Sequence, residues 1–217
     1  MLISESHNFI FIHIYKNAGT SIKAALRPFA TSVFQERMSG IACYPVLGNL
    51  ASLLMRFDRF NPTPYPSHVS AQKIVSELGN DTYNAYFTFA VVRNPWDWQV
   101  SLYNYMLKNS NHHQHELAKN FGSFGEYIRW RCSEEVRYQR DFIYSDQGDL
   151  LVDFVGRFEQ IEQDFQSICS RIGVSATLPR MNVSSAASYR EYYDKETMDL
   201  VSKIFEPDIL TFGYRFV

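Results

Sequence analysis

Little in this chain points to covalent cross-linking or metal ligation. Its 217 residues hold three cysteines, Cys43, Cys132 and Cys169, far apart and without a CxxC pair. An odd, scattered set of thiols argues against a disulfide framework and offers no zinc-ligand spacing. Long apolar runs are also lacking. The stretch 9–15 is interrupted by His13, and the residues before it are largely polar, so neither a membrane span nor a secretory leader is expected. Charge of one sign is not in excess: 21 Lys and Arg stand against 23 Asp and Glu, for a net charge of −2. No broad basic field exists to attract nucleic acid, so any anion must be bound by a few placed groups. Internal repeats and low-complexity tracts are absent.

What is present is a globular composition, 46% apolar and 20% charged. The length suits one sizeable core, and a single domain over 1–217 is expected. Strand and helix patterns alternate. Residues 9–15 (FIFIHIY) and 85–93 (AYFTFAVVR) are aromatic and β-branched, as buried strands are, and 150–158 is the third such run. Helical spacing is found at 20–26, 70–78, 95–108, 121–130, 159–172 and 195–205. Ser70 and Asn94 stand at capping positions, Pro95 at a first turn and Gly173 at a helix end. Residues 43–67 are rich in proline and read as loop with a short helix near 50–57, 109–115 as a polar loop, and 209–216 as a tail. Strands separated by helices predict an α/β fold, a parallel sheet flanked by helices on both faces, with ligands beyond the carboxyl ends of the strands.

Two segments begin where strands end. The first, YKNAGTS, holds Lys16, Asn17, Ala18, Gly19, Thr20 and Ser21. Gly19 permits close backbone approach, Thr20 and Ser21 bring unpaired N–H groups and hydroxyls at a helix start, and Lys16 adds a positive charge. Together they form a cradle for phosphate or sulfate. The segment is not a GxxxxGK[ST] loop, because Lys16 precedes Gly19 by three residues. An ordinary strand–turn–helix with a surface lysine is the plainer reading. In the second, RNPWDWQVS, Arg93 leaves a strand and Ser101 follows eight residues on, two turns into the next helix. An arginine fork beside a hydroxyl suits a phosphate monoester. The plainer alternative pairs Arg93 with Asp97.

Together these segments resemble the PAPS-dependent sulfotransferases (PAPS is 3′-phosphoadenosine 5′-phosphosulfate), in particular the carbohydrate branch of Golgi enzymes and bacterial relatives. YKNAGTS is similar to that family's 5′-phosphosulfate loop and RNPWDWQVS to its 3′-phosphate motif. FVGRFEQIEQDFQSICSRIG is similar to its later strand and helix, and the aspartate before the FGYRF tail is typical of it. The resemblance implies a P-loop-NTPase-like fold. It also implies that Lys16 contacts the sulfate and bridging oxygen, that residues 17–21 cradle the 5′-phosphate, and that Arg93 and Ser101 hold the 3′-phosphate. Asn182 and Ser184 fall in a segment resembling a nucleotide-covering loop and are further candidates. Two tryptophans, Trp96 and Trp98, crowd the second motif.

Sulfuryl transfer to a hydroxyl needs a base near neutral pH, a role that suits histidine. Of six, His7 precedes the first strand, His13 lies within it, and His112, His113 and His115 share a polar loop. His68 stands before a helix, in a setting similar to the family's base histidine, and is the choice that the resemblance implies; a helix-entry residue is the alternative. No metal is expected. The acceptor implied is a hydroxyl on a glycan or lipid-linked glycan precursor. Arg129, Arg131, Arg137 and Arg140 either read an anionic glycan or solvate a helix face. A bacterial cytoplasmic setting is preferred, with an excised Golgi luminal domain as the alternative. A P-loop nucleotide kinase and an inactive nucleotide-binding relative are the competing functions.

Overall fold

A computed structural model describes residues 1–30, 67–179 and 188–217. The expected helix near 50–57, Cys43, and the candidates Asn182 and Ser184 lie outside these residues. A four-stranded sheet has the order β1-β2-β3-β4, with strands β1 (Leu2–Ser4), β2 (Phe9–Ile12), β3 (Phe87–Val92) and β4 (Phe154–Arg157). The strands β2, β3 and β4 run parallel, in registers that pair Phe11 with Phe89 and Val91 with Gly156. The edge strand β1 runs antiparallel to β2, so the sheet is mostly rather than wholly parallel. A short connection makes this possible: residues 5–8 reverse the chain, with Asn8 at a φ of 47°.

Alternation along β2 and β3 builds two cores. Phe9, Phe11, Phe89 and Val91 face helices α1 (Gly19–Leu26) and α7 (Ile161–Ile172), where Ile22, Leu26, Phe165 and Ile168 cover them. Ile10, Ile12, Ala90 and Val92 face the opposite layer. There α4 (Pro95–Lys108), α6 (Phe124–Ser133) and α8 (Lys195–Ile204) contribute Trp98, Tyr127 and Val201. Every residue of β2 is buried. A strand covered on both sides reads as an unbroken apolar run, and each large side chain so buried stabilises the fold by roughly 1.5–3 kcal/mol.

The remaining helices are α2 (Ala71–Leu78), α3 (Asn80–Asn84), α5 (His115–Asn120) and α9 (Glu206–Phe212). Ser70 caps α2, accepting from the Lys73 N–H, and Asn94 caps α4, accepting from the Trp96 N–H at 3.1 Å. Gly79 ends α2, but α3 starts at once rather than a loop. The expected strands 9–15 and 150–158 are both shorter than their apolar runs. Residues 13–15 leave the sheet to shape a loop, and 150–153 approach β3 through Asp153, whose carboxylate accepts from the Thr88 N–H at 2.7 Å. The first half of the expected tail 209–216 belongs to helix α9, closed by Gly213 at a φ of 65°. Cys132 and Cys169 are buried free thiols.

Candidate active site

The loop after β2 turns sharply through two non-glycine residues in the left-handed region, Lys16 (φ 64°) and Ala18 (φ 59°). Asn17 between them is not left-handed. Left-handed residues in a short loop of this kind can turn neighbouring backbone N–H groups toward one concave side, as in anion nests. Ala18 is also the N-cap of α1, with no side-chain cap, so the first N–H groups of the helix meet the nest at its positive end. Thr20 is exposed there, and Ser21 is buried.

Gly19 is needed for a different reason from the one its sequence setting gives. A Cβ at this position would stand 1.8 Å from Nε2 of His13. The buried His13 ring, rather than a ligand, occupies the space that the missing side chain leaves. Asn17 also departs from a ligand-facing role in its side chain. Nδ2 donates to the Val91 carbonyl and to Oε1 of Gln139, each at 2.8 Å, so its backbone N–H is what the loop offers an anion.

Lys16 is half-buried. Its ammonium lies 3.8 Å over the ring of Tyr105. Burial first, and the nearby Arg93 charge second, lower its pKa to about 8. Such a lysine is charged at neutral pH yet weakly solvated, so it gains strongly from an arriving anion.

Arg93 is buried at the end of β3. Nε donates to Asp97 at 2.7 Å, so the pairing that the sequence left as the plainer alternative is present. It does not consume the residue. One terminal nitrogen donates to the Lys16 carbonyl at 3.1 Å, bringing the two motifs into direct contact. The guanidinium also stacks 3.8 Å over Phe158, just past β4. Its second terminal nitrogen has no partner among the described residues. Ser101 follows Asp97 by one turn of α4, on the same helix face, and its hydroxyl has no protein partner among the described residues.

The two tryptophans brace the motifs. Trp98, wholly buried, donates its indole N–H to the Tyr15 carbonyl at 2.7 Å, and Trp96 donates to Met198. Tyr15 receives Arg131 on its hydroxyl at 2.9 Å, and burial raises its pKa to about 12. Arg131 therefore belongs to the core and reads no ligand. Arg129 pairs with Glu196 at the surface. Gln139, which no sequence pattern marked, holds both Asn17 and Arg93; being a lone buried amide in an irregular segment, it gave no signal to find.

His68 is exposed beside this assembly. Its Nδ1 lies 3.1 Å from the His13 carbonyl. A carbonyl only accepts, so Nδ1 carries the proton and Nε2 is left with its lone pair. The ring stands 4.5 Å from His13 and 5.8 Å from Tyr15. Lost hydration on the side of the ring that packs against the protein, chiefly, lowers its pKa below the ordinary 6.5, which favours the neutral form at pH 7. His13 is held down to about 2 by burial and acts as packing. His112 stacks on His113 and meets Tyr105 edge-on, while His115 bonds the Met106 carbonyl. A cleft of about 700 Å³ opens to one side, lined by Ser70, Lys73, Tyr138, Arg140 and Tyr144. It contains none of the loop residues. Among the described residues no group of three or more His, Cys, Asp or Glu could hold a metal, and no helix is long and apolar enough to cross a membrane.

The sequence profile of the sulfotransferase family matches residues 1–215, and the chain belongs to that family. The fold is that of mouse sulfotransferase SULT7A1, solved in complex with PAP. That structure superposes with a TM-score of 0.53 at 12% identity, over 96% of this chain and 86% of the mouse chain. A sulfotransferase from Alicyclobacillus acidocaldarius aligns over 96% of both chains at 17% identity, with a TM-score of 0.41. An uncharacterized protein of Archaeoglobus fulgidus is 28% identical over 128 residues, which are 56% of this chain and 97% of that protein.

Proposed function

We propose that the protein transfers a sulfuryl group from PAPS to a hydroxyl of a carbohydrate or glycan acceptor. The observation that carries the reading is the contact between Arg93 and the Lys16 carbonyl. It joins a left-handed nest at a helix N-terminus to a half-free guanidinium, two anion sites a short distance apart. A nucleotide with phosphate at both its 3′ and 5′ positions fits such a pair, and PAP is what the mouse relative holds.

The donor supplies an electrophilic sulfur on a phosphate leaving group. The backbone N–H groups of residues 17–21 and the Thr20 and Ser21 hydroxyls hold the 5′ end. Arg93 and Ser101 hold the 3′-phosphate, and Asn182 and Ser184 are further candidates to contact the nucleotide. Nε2 of His68 takes the proton from the acceptor hydroxyl as its oxygen bonds to sulfur in line with the departing oxygen. Lys16 leaves its seat on Tyr105 to neutralise charge growing on that oxygen. Positioning and electrostatic stabilisation together supply the acceleration, and no metal is required. The carbohydrate assignment is supported by the neighbouring cleft, where serine hydroxyls and two tyrosine rings suit a polyhydroxylated chain.

Thermal shifts with adenosine 3′,5′-bisphosphate, AMP, ADP and ATP with Mg²⁺ test the reading, followed by transfer assays on His68→Ala. A ligand at about 100 times its Kd stabilises by about 2.7 kcal/mol. The bisphosphate is expected to give the dominant shift, and His68→Ala to keep that shift while losing transfer. A shift with ATP and Mg²⁺ and none with the bisphosphate makes the protein a kinase. Bisphosphate binding with no transfer to any acceptor makes it an inactive relative. Full activity in His68→Ala removes His68 as the base.

A further inference from the structure

Gln139 lies in the irregular stretch between α6 and β4, remote in sequence from both anion motifs, and is completely buried. Its side-chain amide makes three hydrogen bonds. Oε1 accepts from Nδ2 of Asn17 at 2.8 Å and from the Arg93 N–H at 2.9 Å, and Nε2 donates to the Arg93 carbonyl at 2.8 Å. The last two bonds grip both backbone groups of one residue, as a neighbouring strand would. The strand β3 ends at Val92, so the amide extends the ladder by one residue, to the arginine itself. Gln139 is in turn fixed from behind. Asp208 accepts from the Gln139 N–H at 2.8 Å and from the Arg140 N–H at 3.0 Å.

We propose that Gln139 is a positioning residue that sets the distance between the two anion sites, coupling capture of the 3′-phosphate by Arg93 to alignment of Lys16. The inference rests on the donor assignment above. Its chemical basis is the amide's dual character. No other side chain of this shape accepts twice and donates once here. Glutamate would set a carboxylate oxygen against the Arg93 carbonyl, and leucine would strand three buried polar groups. Either change lets Arg93 shift relative to Asn17, and Lys16 sits one residue before Asn17. Loss of the clasp therefore weakens recognition of the 3′-phosphate and slows transfer together.

The test is a cycle between residue and phosphate. Dissociation constants for adenosine 3′,5′-bisphosphate and for AMP are measured on the full chain and on Gln139→Glu and Gln139→Leu, with kcat and KM for PAPS and a thermal melt of each. The bisphosphate preference is expected to fall by at least about tenfold in both variants, the size of a direct coupling between neighbouring groups. AMP binding should change far less, and kcat should fall along with the preference. A preference within about twofold of the parent, whatever the melting temperature, overturns the proposal and leaves Gln139 a support of the fold alone. If neither variant folds, Asn17→Ala cuts the loop's arm of the clasp and carries the same comparison. If the parent chain shows no bisphosphate preference, the donor assignment falls and the clasp falls with it.

Discussion

Replacing Gly19 by alanine sets two opposed effects against each other at the start of α1. Gly19 has no left-handed backbone to protect; the positive φ values of this loop belong to Lys16 and Ala18. On propensity alone, alanine in a helix should gain up to about 1 kcal/mol. Against this stands His13. The new Cβ would lie 1.8 Å from Nε2 and 2.0 Å from Cδ2, where ordinary contact begins at 3.4 Å. The ring is buried, stacked 5.7 Å from Phe11 and tilted 4.5 Å from His68, so yielding to the new methyl disturbs both neighbours. Forced overpacking of this kind costs about 1–3 kcal/mol, more than propensity returns, so Gly19→Ala is expected to be destabilising by about 1–2 kcal/mol net. For a chain of this size that lowers Tm by about 2–4 °C per kcal/mol. The ring's displacement also disturbs the His13 carbonyl that orients His68, so turnover should fall further than stability alone explains. Denaturant unfolding and transfer rates on Gly19→Ala, His13→Ala and the double variant measure both effects. The double variant should be more stable than the sum of the singles allows, because removing the ring removes the clash. A Gly19→Ala protein as stable as its parent, or strict additivity in the cycle, would refute the reasoning.

Two further outcomes follow from the same geometry. The kcat/KM for the donor should be bell-shaped in pH. A base works when neutral, so activity rises with pH through a His68 value held below 6.5; Lys16 works when charged, so activity falls as pH passes about 8, and Lys16→Arg should remove that alkaline limb. A flat profile in the parent, or an unchanged limb in Lys16→Arg, would count against these roles. Trp98→Phe keeps most of the buried ring but strands the Tyr15 carbonyl, so it should cost about 1–3 kcal/mol and weaken bisphosphate binding; denaturation and calorimetry check both.

The strand–helix alternation, the caps at Ser70 and Asn94, and the stop at Gly173 were all legible, because periodicity and capping are local chemistry. The helix 95–108 was legible to the residue at both ends for the same reason. Strand ends were not legible. Residues 13–15 continue an aromatic and β-branched run past His13, yet they leave the sheet where Trp98 and Arg131 capture Tyr15. The antiparallel β1 escaped notice because three residues carry no period. Within the site, the sequence marked the groups that could meet an anion but not those that hold them. Gln139 and Arg131 look like surface residues until the fold buries them. What Gly19 and Asn17 touch within the protein was not legible either, since their partners, His13 and Gln139, are set by tertiary contact.

The left-handed backbone at Lys16 and Ala18 has a consequence for how the protein meets its ligand. Each such conformation in a side-chain-bearing residue costs on the order of 1–2 kcal/mol. That cost is borne once, when the chain folds and the two cores clamp the loop between β2 and α1. No comparable backbone cost remains for the loop at the encounter, whatever the Lys16 side chain must do on leaving Tyr105. On the proposed reading, an arriving anion finds the loop's backbone donors already converged, so folding stability is exchanged in advance for readiness to bind.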